Sequence, residues 1–159
     1  MLSRNKTIQN QYRSEYIFSP SDVNIGIAVA IDDDLIVPVI KNADRKDLVA
    51  ISNEASTLIE KAKSKSLKPD DINDATFVVT NLGMFGIISF VPIVNPGQSA
   101  ILSVGGLQKI PIVTDENIVI GQVIEFTLVC DHRVINGVTA ATFCHEFKEV
   151  IETERENGW

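Results

Sequence analysis

Cysteine, histidine and long apolar runs are scarce in this sequence of 159 residues. Its two cysteines, Cys130 and Cys144, are too few for a disulfide framework, which favours a reducing compartment. No run of about 18 apolar residues is present, and the N-terminus lacks the apolar core of a signal peptide. A net charge of -7 leaves no excess of cations for nucleic acid. These absences predict a cytoplasmic protein that binds neither a membrane nor nucleic acid.

The chain is long enough for one compact domain with its own core. Its first residues are polar and have no clear period, so residues 1–22 are predicted to form an N-terminal arm that is extended or loosely ordered. The rest of the chain, residues 23–159, is predicted to form a single domain.

The first part of that domain contains a predicted hairpin and a predicted helix. Two β-rich runs, residues 23–31 and 35–40, are separated by three aspartates, which indicates a turn. Pro38 predicts that the second strand lies at an edge or contains a bulge. Between residues 44 and 66 the pattern becomes helical, because apolar residues recur every three or four positions: Leu48, Ile51, Ala55, Leu58 and Ala62.

Three more strands and a second helix are predicted downstream. The strands are residues 76–80, 100–104 and 117–130, and the longest has one parity that predicts a core face: Ile118, Ile120, Ile124, Phe126 and Leu128. Residues 138–154 are predicted to form a helix with an apolar stripe: Ala140, Phe143, Phe147 and Val150. The order ββαβββα predicts an α/β or α+β fold with helices on a largely antiparallel or mixed sheet.

His132 lies where the longest predicted strand gives way to the last helix. It is either a working base or a structural residue bonded to nearby backbone. The other histidine, His145, has no comparable context and is predicted to lie on the helix surface or at the edge of the core. A metal site built from both histidines and both cysteines is disfavoured, because Cys144 and His145 would point about 100° apart on a helix. We therefore expect no metal.

Three stretches resemble, in this order, the C-terminal catalytic domain of the dihydrolipoyl acyltransferases, the core components of the 2-oxoacid dehydrogenase complexes. They are NIGIAVAIDDDLIVPVIKNADRKDL, TFVVTNLGMFGIISFVPIVNPGQSAILSVGG and DHRVINGVTAATF. The resemblance implies a fold like that of chloramphenicol acetyltransferase, with a mixed β-sheet flanked by helices, and trimers whose active sites lie between subunits. It implies transfer of an acyl group, expected to be acetyl, between dihydrolipoamide and coenzyme A.

The resemblance also assigns roles to single residues. His132 matches the catalytic histidine, which would take the proton from an incoming thiol. Thr80 falls where the family commonly has serine and would stabilise the oxyanion opposite His132 of a neighbouring chain, unless it only caps the glycine turn. Asn136 replaces the more usual aspartate and is assigned to the catalytic residues, where it would orient its neighbours or cap the following helix, unless it is only a turn residue before Gly137. Asp131 and Arg133 would form an ion pair that fixes the loop.

Partners follow from the same resemblance. They would be a homotrimer or a higher cage, a lipoyl group supplied from a separate domain or chain, and the decarboxylase and dihydrolipoamide dehydrogenase components. The family's catalytic domain begins well before the segment that matches Asn24, and no lipoyl or subunit-binding domain is recognisable, so a partial, N-terminally truncated domain is expected. The alternative is a catalytically impaired homologue that serves only as an oligomeric structural core.

Overall fold

The protein is described by a computed structural model that covers residues 1–32 and 34–156, with side chains up to residue 153. The strands are β1 (Gln11–Arg13), β2 (Tyr16–Phe18), β3 (Ile25–Ile27), β4 (Val29–Ile31), β5 (Asp34–Ile36), β6 (Val39–Ile40), β7 (Phe77–Asn81), β8 (Ala100–Val104), β9 (Gln108–Thr114), β10 (Asn117–Val123) and β11 (Phe126–Cys130). The helices are α1 (Leu48–Lys63) and α2 (Gly137–Glu156). In the described part of the chain no helix is long and apolar enough to cross a membrane.

A five-stranded mixed sheet with the order β11-β8-β7-β3-β6 forms the centre of the molecule. Its three inner strands are parallel, and both edge strands run antiparallel to their neighbours. The predicted class, helices packed on a mixed sheet, is therefore confirmed.

The two faces of this sheet are covered differently because successive side chains point to opposite sides. Phe77 and Leu102 lie on the face that carries α2, where they pack in one cluster with Phe143. Val78 and Ile101 lie on the other face, where Val94 from the long loop before β8 packs against them. One face is thus closed by helix and the other by loop.

Both helices begin and end close to the predicted positions. Asp47 caps α1, since its side chain accepts a hydrogen bond of 2.7 Å from the Ala50 N–H. The predicted stripes are buried in their central parts, with Leu58 in α1 and Phe143 in α2 in the core. Their outer members, Leu48 and Val150, are exposed instead.

The predicted hairpin is present, but each of its runs is broken into two strands. β4 pairs with β5, and β3 pairs with β6. Pro38 lies just before β6, which is an edge strand of the central sheet, as the proline predicted. Of the three aspartates expected in the turn, Asp33 lies outside the described residues, and Asp34 already belongs to β5.

The prediction of one strand from residue 117 to residue 130 is wrong. The segment is divided at Ile124 and Glu125 into β10 and β11. β11 joins the central sheet, whereas β10 pairs with β9, a strand that the sequence did not predict, in a separate two-stranded ribbon. The prediction that this parity forms a core face is also wrong for β10, because Ile118 and Ile120 are about four-fifths exposed.

Residues 1–22, which were expected to be extended or loosely ordered, contain local structure. A 3-10 turn spans Lys6–Gln9, and β1 and β2 form a short hairpin. Ile8 is fully buried and packs in the same cluster as Phe77 and Phe143. Ile8, with Met1 and Leu2 packed against the same cluster, attaches this segment to the helical face of the sheet.

Candidate functional site

His132 lies in the short loop that connects β11 with α2. The loop starts with Asp131, whose N–H donates to the Ser99 carbonyl at 2.8 Å and so continues the edge of the sheet by one residue. The Asp131 carbonyl then accepts from the N–H groups of Val134 and Ile135, both at 3.0 Å. These bonds form a compact turn that leaves His132 exposed at its outer side.

Asp131 and Arg133, the neighbours of His132, form the ion pair that the sequence predicted. The Arg133 guanidinium donates two hydrogen bonds from Nε and one from Nη2 to the Asp131 carboxylate, at 2.6 to 3.1 Å. Its backbone N–H donates to the same carboxylate at 3.0 Å. The side-chain hydrogen bonds from Arg133 lower the pKa of Asp131, so the carboxylate stays ionised at neutral pH. The pair fixes the backbone on both sides of His132.

Asn136 ends this loop and begins α2. Its side-chain oxygen accepts from the Thr139 N–H at 2.9 Å, and its carbonyl accepts from the Ala140 N–H at 3.1 Å. This is the geometry of a helix N-cap. Of the two roles that the sequence left open, helix capping is the one visible within a single chain.

Thr80 lies near the carboxyl end of β7, opposite Ser103 of β8. It is followed by the glycine turn, which is capped by Asn81 rather than by Thr80: the Asn81 side-chain oxygen accepts from the Gly83 N–H at 2.8 Å. Within the described residues, the Thr80 hydroxyl has no hydrogen-bond partner. Thr80 as a residue is half-buried, and its hydroxyl is able to donate to a group that approaches the end of the strand.

Thr80 and His132 lie at opposite ends of the sheet. Cys130, the last residue of β11, is opposite Ala100, whereas Thr80 is opposite Ser103, so their positions differ by about 10 Å along β8. His132 lies two residues beyond Cys130, which increases the separation. One copy of the chain therefore cannot bring the two side chains to the same substrate atom.

Three clefts on the described surface have neither Thr80 nor His132 in their lining. A polar cleft of about 240 Å³ lies between the N-terminal hairpin and the loop before β8, lined in part by Arg13, Asp74 and Gln98. An apolar groove of about 500 Å³ lies between the start of β11 and the end of α2, beside Phe126 and Phe147. The third, of about 300 Å³, lies beside β5 and the end of α1. The predicted site residues lie outside all three.

The remaining histidine and the two cysteines show neither a reactive thiol nor a metal-binding cluster in the described residues. His145 is exposed on α2 and lies 3.4 Å from Glu149, one turn further along the helix, as predicted for a surface residue. Burial, with a smaller effect from Cys144, raises the pKa of the Cys130 thiol to about 11, so it is protonated at neutral pH. In the part of the chain that the structure describes, no three potential metal-binding side chains cluster around one point.

Tyr12 is a residue of this region that the sequence did not reveal. Its ring lies under the Arg133 guanidinium, with 4.1 Å from the guanidinium carbon to the ring centroid. An aromatic residue in a polar arm was the only available signal. A contact between residues so far apart in sequence could not be inferred from that signal.

The chain matches the family model described as 2-oxoacid dehydrogenases acyltransferase (catalytic domain) over residues 2–157. The dihydrolipoyllysine-residue acetyltransferase component of pyruvate dehydrogenase complex from Rickettsia felis is 41% identical over 133 residues, which make up 84% of this chain and 32% of that protein. The chain thus spans about a third of the length of this curated relative.

Two solved structures share the fold. A dihydrolipoamide acetyltransferase from Azotobacter vinelandii, studied for the roles of a serine, a histidine and an asparagine in its catalytic mechanism, superposes with a TM-score of 0.92 at 33% identity, covering 98% of this chain and 65% of that one. The cubic core of a pyruvate dehydrogenase multienzyme complex superposes with a TM-score of 0.86 at 36% identity, covering 91% and 60%.

Proposed function

This chain belongs to the family of 2-oxoacid dehydrogenase acyltransferase catalytic domains, and from that membership we propose that it transfers an acetyl group between dihydrolipoamide and coenzyme A. The activity named for its relatives supports acetyl as the group. Both partners in this exchange are thiols, so the reaction needs a base for the incoming thiol and a donor for the oxyanion that forms on the thioester.

His132 is the proposed base. Its exposed ring takes the proton from the coenzyme A thiol, and the resulting thiolate attacks the carbonyl carbon of the acetyl thioester on dihydrolipoamide. The tetrahedral intermediate collapses, the carbon–sulfur bond to dihydrolipoamide breaks, and the released thiolate recovers the proton from His132. The fixed backbone on both sides of His132 supports this role, because proton transfer requires a ring held at hydrogen-bond distance.

Thr80 of a neighbouring subunit is the proposed oxyanion donor. The separation of Thr80 and His132 within one chain supports a site shared between two copies. A hydroxyl without a partner among the described residues can donate to the oxyanion without breaking an existing bond. Asn136 is proposed to support catalysis by fixing the end of the loop that carries His132.

The spacing of these three residues is the observation that carries the proposal. In the Azotobacter vinelandii enzyme a serine, a histidine and an asparagine were studied for their catalytic roles. They are separated along that chain by the same numbers of residues as Thr80, His132 and Asn136 are here. Thr80 keeps the hydroxyl of the serine, and Asn136 matches the asparagine.

Replacement of each histidine in turn tests the proposal. With acetyl-CoA and dihydrolipoamide as substrates, we expect His132→Ala to lower kcat by about 10²- to 10⁴-fold, because the general base is lost. His145→Ala is the matched control and should keep the wild-type rate. The thioester absorbance measures turnover, and light scattering confirms equal assembly. No turnover by an assembled wild-type sample would refute acyl transfer and leave the chain as an oligomeric structural core.

The chemistry uses no metal, so turnover should persist in EDTA.

We also propose that this domain works as a trimer, alone or in a larger cage, within a pyruvate dehydrogenase complex. The fold shared with a cubic core and the names of the relatives support this assembly. A lipoyl group on a separate domain or chain would deliver the acetyl group. The decarboxylase component would load the acetyl group onto the lipoyl group, and the dihydrolipoamide dehydrogenase component would reoxidise the dihydrolipoyl group that remains after transfer. Co-purification of a tagged chain with both components tests the association.

We propose the cytoplasm as the location of the protein. Two cysteines that are free in the structure are compatible with a reducing compartment. Cell fractionation followed by immunodetection tests the location, and recovery in a secreted or periplasmic fraction would contradict it.

A further inference from the structure

The loop around His132 is held from inside and from outside. From inside, the Asp131 carbonyl accepts the Val134 and Ile135 N–H groups, and the Asp131 carboxylate accepts the Arg133 guanidinium. An ion pair in contact with water is weak by itself, and the Arg133 side chain is about two-thirds exposed. A contact from outside the loop would therefore add to the hydrogen bonds that hold the guanidinium in one orientation.

Tyr12 provides that outside contact. Its ring covers one face of the Arg133 guanidinium, with 4.1 Å from the guanidinium carbon to the ring centroid. Stacking on an aromatic ring suits a planar guanidinium and leaves its edge free for the carboxylate of Asp131. The same guanidinium thus joins the carboxylate on its edge and the ring on its face.

The strand that carries Tyr12 is itself attached to the sheet. The preceding residue, Gln11, is buried, and its side-chain amide donates to the Ala75 carbonyl at 3.5 Å. The following residue, Arg13, donates to the Gln11 side-chain oxygen at 2.9 Å and stacks on Phe18 of β2. The ring of Tyr12 is therefore placed by the body of the domain and not by a mobile arm.

We propose that Tyr12 is a positioning residue for His132, acting through Arg133. The hairpin holds the ring, the ring holds the guanidinium, and the guanidinium with Asp131 fixes the two residues on either side of His132. This inference rests on the proposed acyl transfer, and it requires a flat ring at position 12 but not the phenol hydroxyl.

Three variants in the hairpin test this role in the assembled protein. Tyr12→Leu should lower kcat at least about tenfold, because a small displacement of the base slows proton transfer. KM for both substrates should stay within about twofold. Tyr12→Phe should restore the wild-type kcat, since the ring remains. Tyr16→Leu, on the other strand of the same hairpin, is the matched control and should behave as wild type. Equal loss in Tyr12→Phe and Tyr12→Leu, or no loss in Tyr12→Leu, overturns the proposal.

A double-mutant cycle separates positioning from general damage to the fold. Arg133→Lys keeps the charge near Asp131 but removes the planar group that stacks on the ring. Its kcat should fall about as far as that of Tyr12→Leu, and the double variant should be no slower than either single variant. Additive losses would mean that the two residues act independently, which contradicts the inference.

Hydrogen–deuterium exchange tests the contact without relying on turnover. The amides of Arg133, Val134 and Ile135 are bonded inside the loop, so they report its opening. Tyr12→Leu should make them exchange about tenfold faster while β8 and α2 keep their rates; Tyr12→Phe should not. If the wild-type protein is inactive but Tyr12→Leu still shows faster exchange, acyl transfer is refuted and the contact stands. If the wild-type protein is active but Tyr12→Leu exchanges at the wild-type rate, only the role of Tyr12 is refuted.

Discussion

Lys65 occupies a left-handed backbone conformation, with φ of 55°, just after the end of α1. The Ser66 N–H donates to the Lys61 carbonyl and the Lys65 N–H to the Ala62 carbonyl, at 2.9 and 3.0 Å, which is a Schellman motif. Glycine is the usual residue at this position because it has no Cβ to strain. The lysine side chain adds only an exposed ion pair with Asp32.

We therefore predict that Lys65→Gly raises the free energy of unfolding by about 1 kcal/mol. Chemical denaturation of the assembled protein at fixed concentration measures the change. Lys65→Ala is the control, since it removes the same ion pair but keeps the strained backbone, and it should be no more stable than wild type. A glycine variant as stable as the alanine variant would show that the left-handed residue carries no strain.

At the scale of elements, Gly105 joins three parts of the chain. Its N–H donates to the Glu125 carbonyl at 2.9 Å, and the Gly106 N–H donates to the Ile87 carbonyl at 2.8 Å. The end of β8 is thereby tied to the segment before β11 and to the long loop that follows the glycine turn. A Cβ on Gly105 would lie 1.7 Å from the Ile88 carbonyl oxygen, so this junction has no room for a side chain.

Gly105→Ala is accordingly expected to lower the free energy of unfolding by about 3 kcal/mol or more, because backbone must move to accept the methyl group. Gly137→Ala is the matched control. A Cβ there meets no described atom within 4 Å, and alanine at the start of α2 should change stability by less than about 1 kcal/mol. Thermal unfolding compares the two, and equal melting temperatures would contradict the close approach at Gly105.

Local sequence pattern predicted the elements whose apolar residues follow a clear spacing. The hairpin between β3 and β6 and the two helices follow from alternation and from helical spacing. The break at Ile124 could not be predicted, because no proline or glycine marks it. The hairpin of β9 and β10 is local, but its two turn residues, Asp115 and Glu116, have positive φ angles without the glycine or asparagine that usually marks such a turn. Pro111 further concealed β9, since proline argues against a strand unless it lies at an edge.

The candidate site was predictable to the same limited extent. In the segment from Asp131 to Asn136 the interacting groups are only two or three residues apart. Both the ion pair and the helix cap could therefore be anticipated. The contact between Tyr12 and Arg133 could not, because it depends on how the N-terminal hairpin packs on the rest of the domain. Sequence pattern identified His132, the proposed base, and missed Tyr12, the residue that we propose positions its loop.

At the scale of the whole molecule, the central sheet separates the two groups that the proposed reaction needs. His132 follows β11 at one end of the sheet, and Thr80 lies at the other end, near the close of β7. In a ring of identical subunits joined head to tail, the same contact repeats at every boundary, so each His132 can meet the Thr80 of the next copy. The number of sites then equals the number of subunits.

This arrangement predicts that two inactive variants can restore activity to each other. His132→Ala and Thr80→Val should each be nearly inactive alone, the second because the methyl group cannot donate to the oxyanion. If the two are unfolded together and reassembled in equal amounts, random mixing should place an intact His132 beside an intact Thr80 at about a quarter of the boundaries. Turnover should recover to about that fraction of wild type, whereas each variant treated alone should stay inactive. A mixture as inactive as its components, with light scattering showing full assembly, would place both groups of each site in one subunit and exclude the shared site.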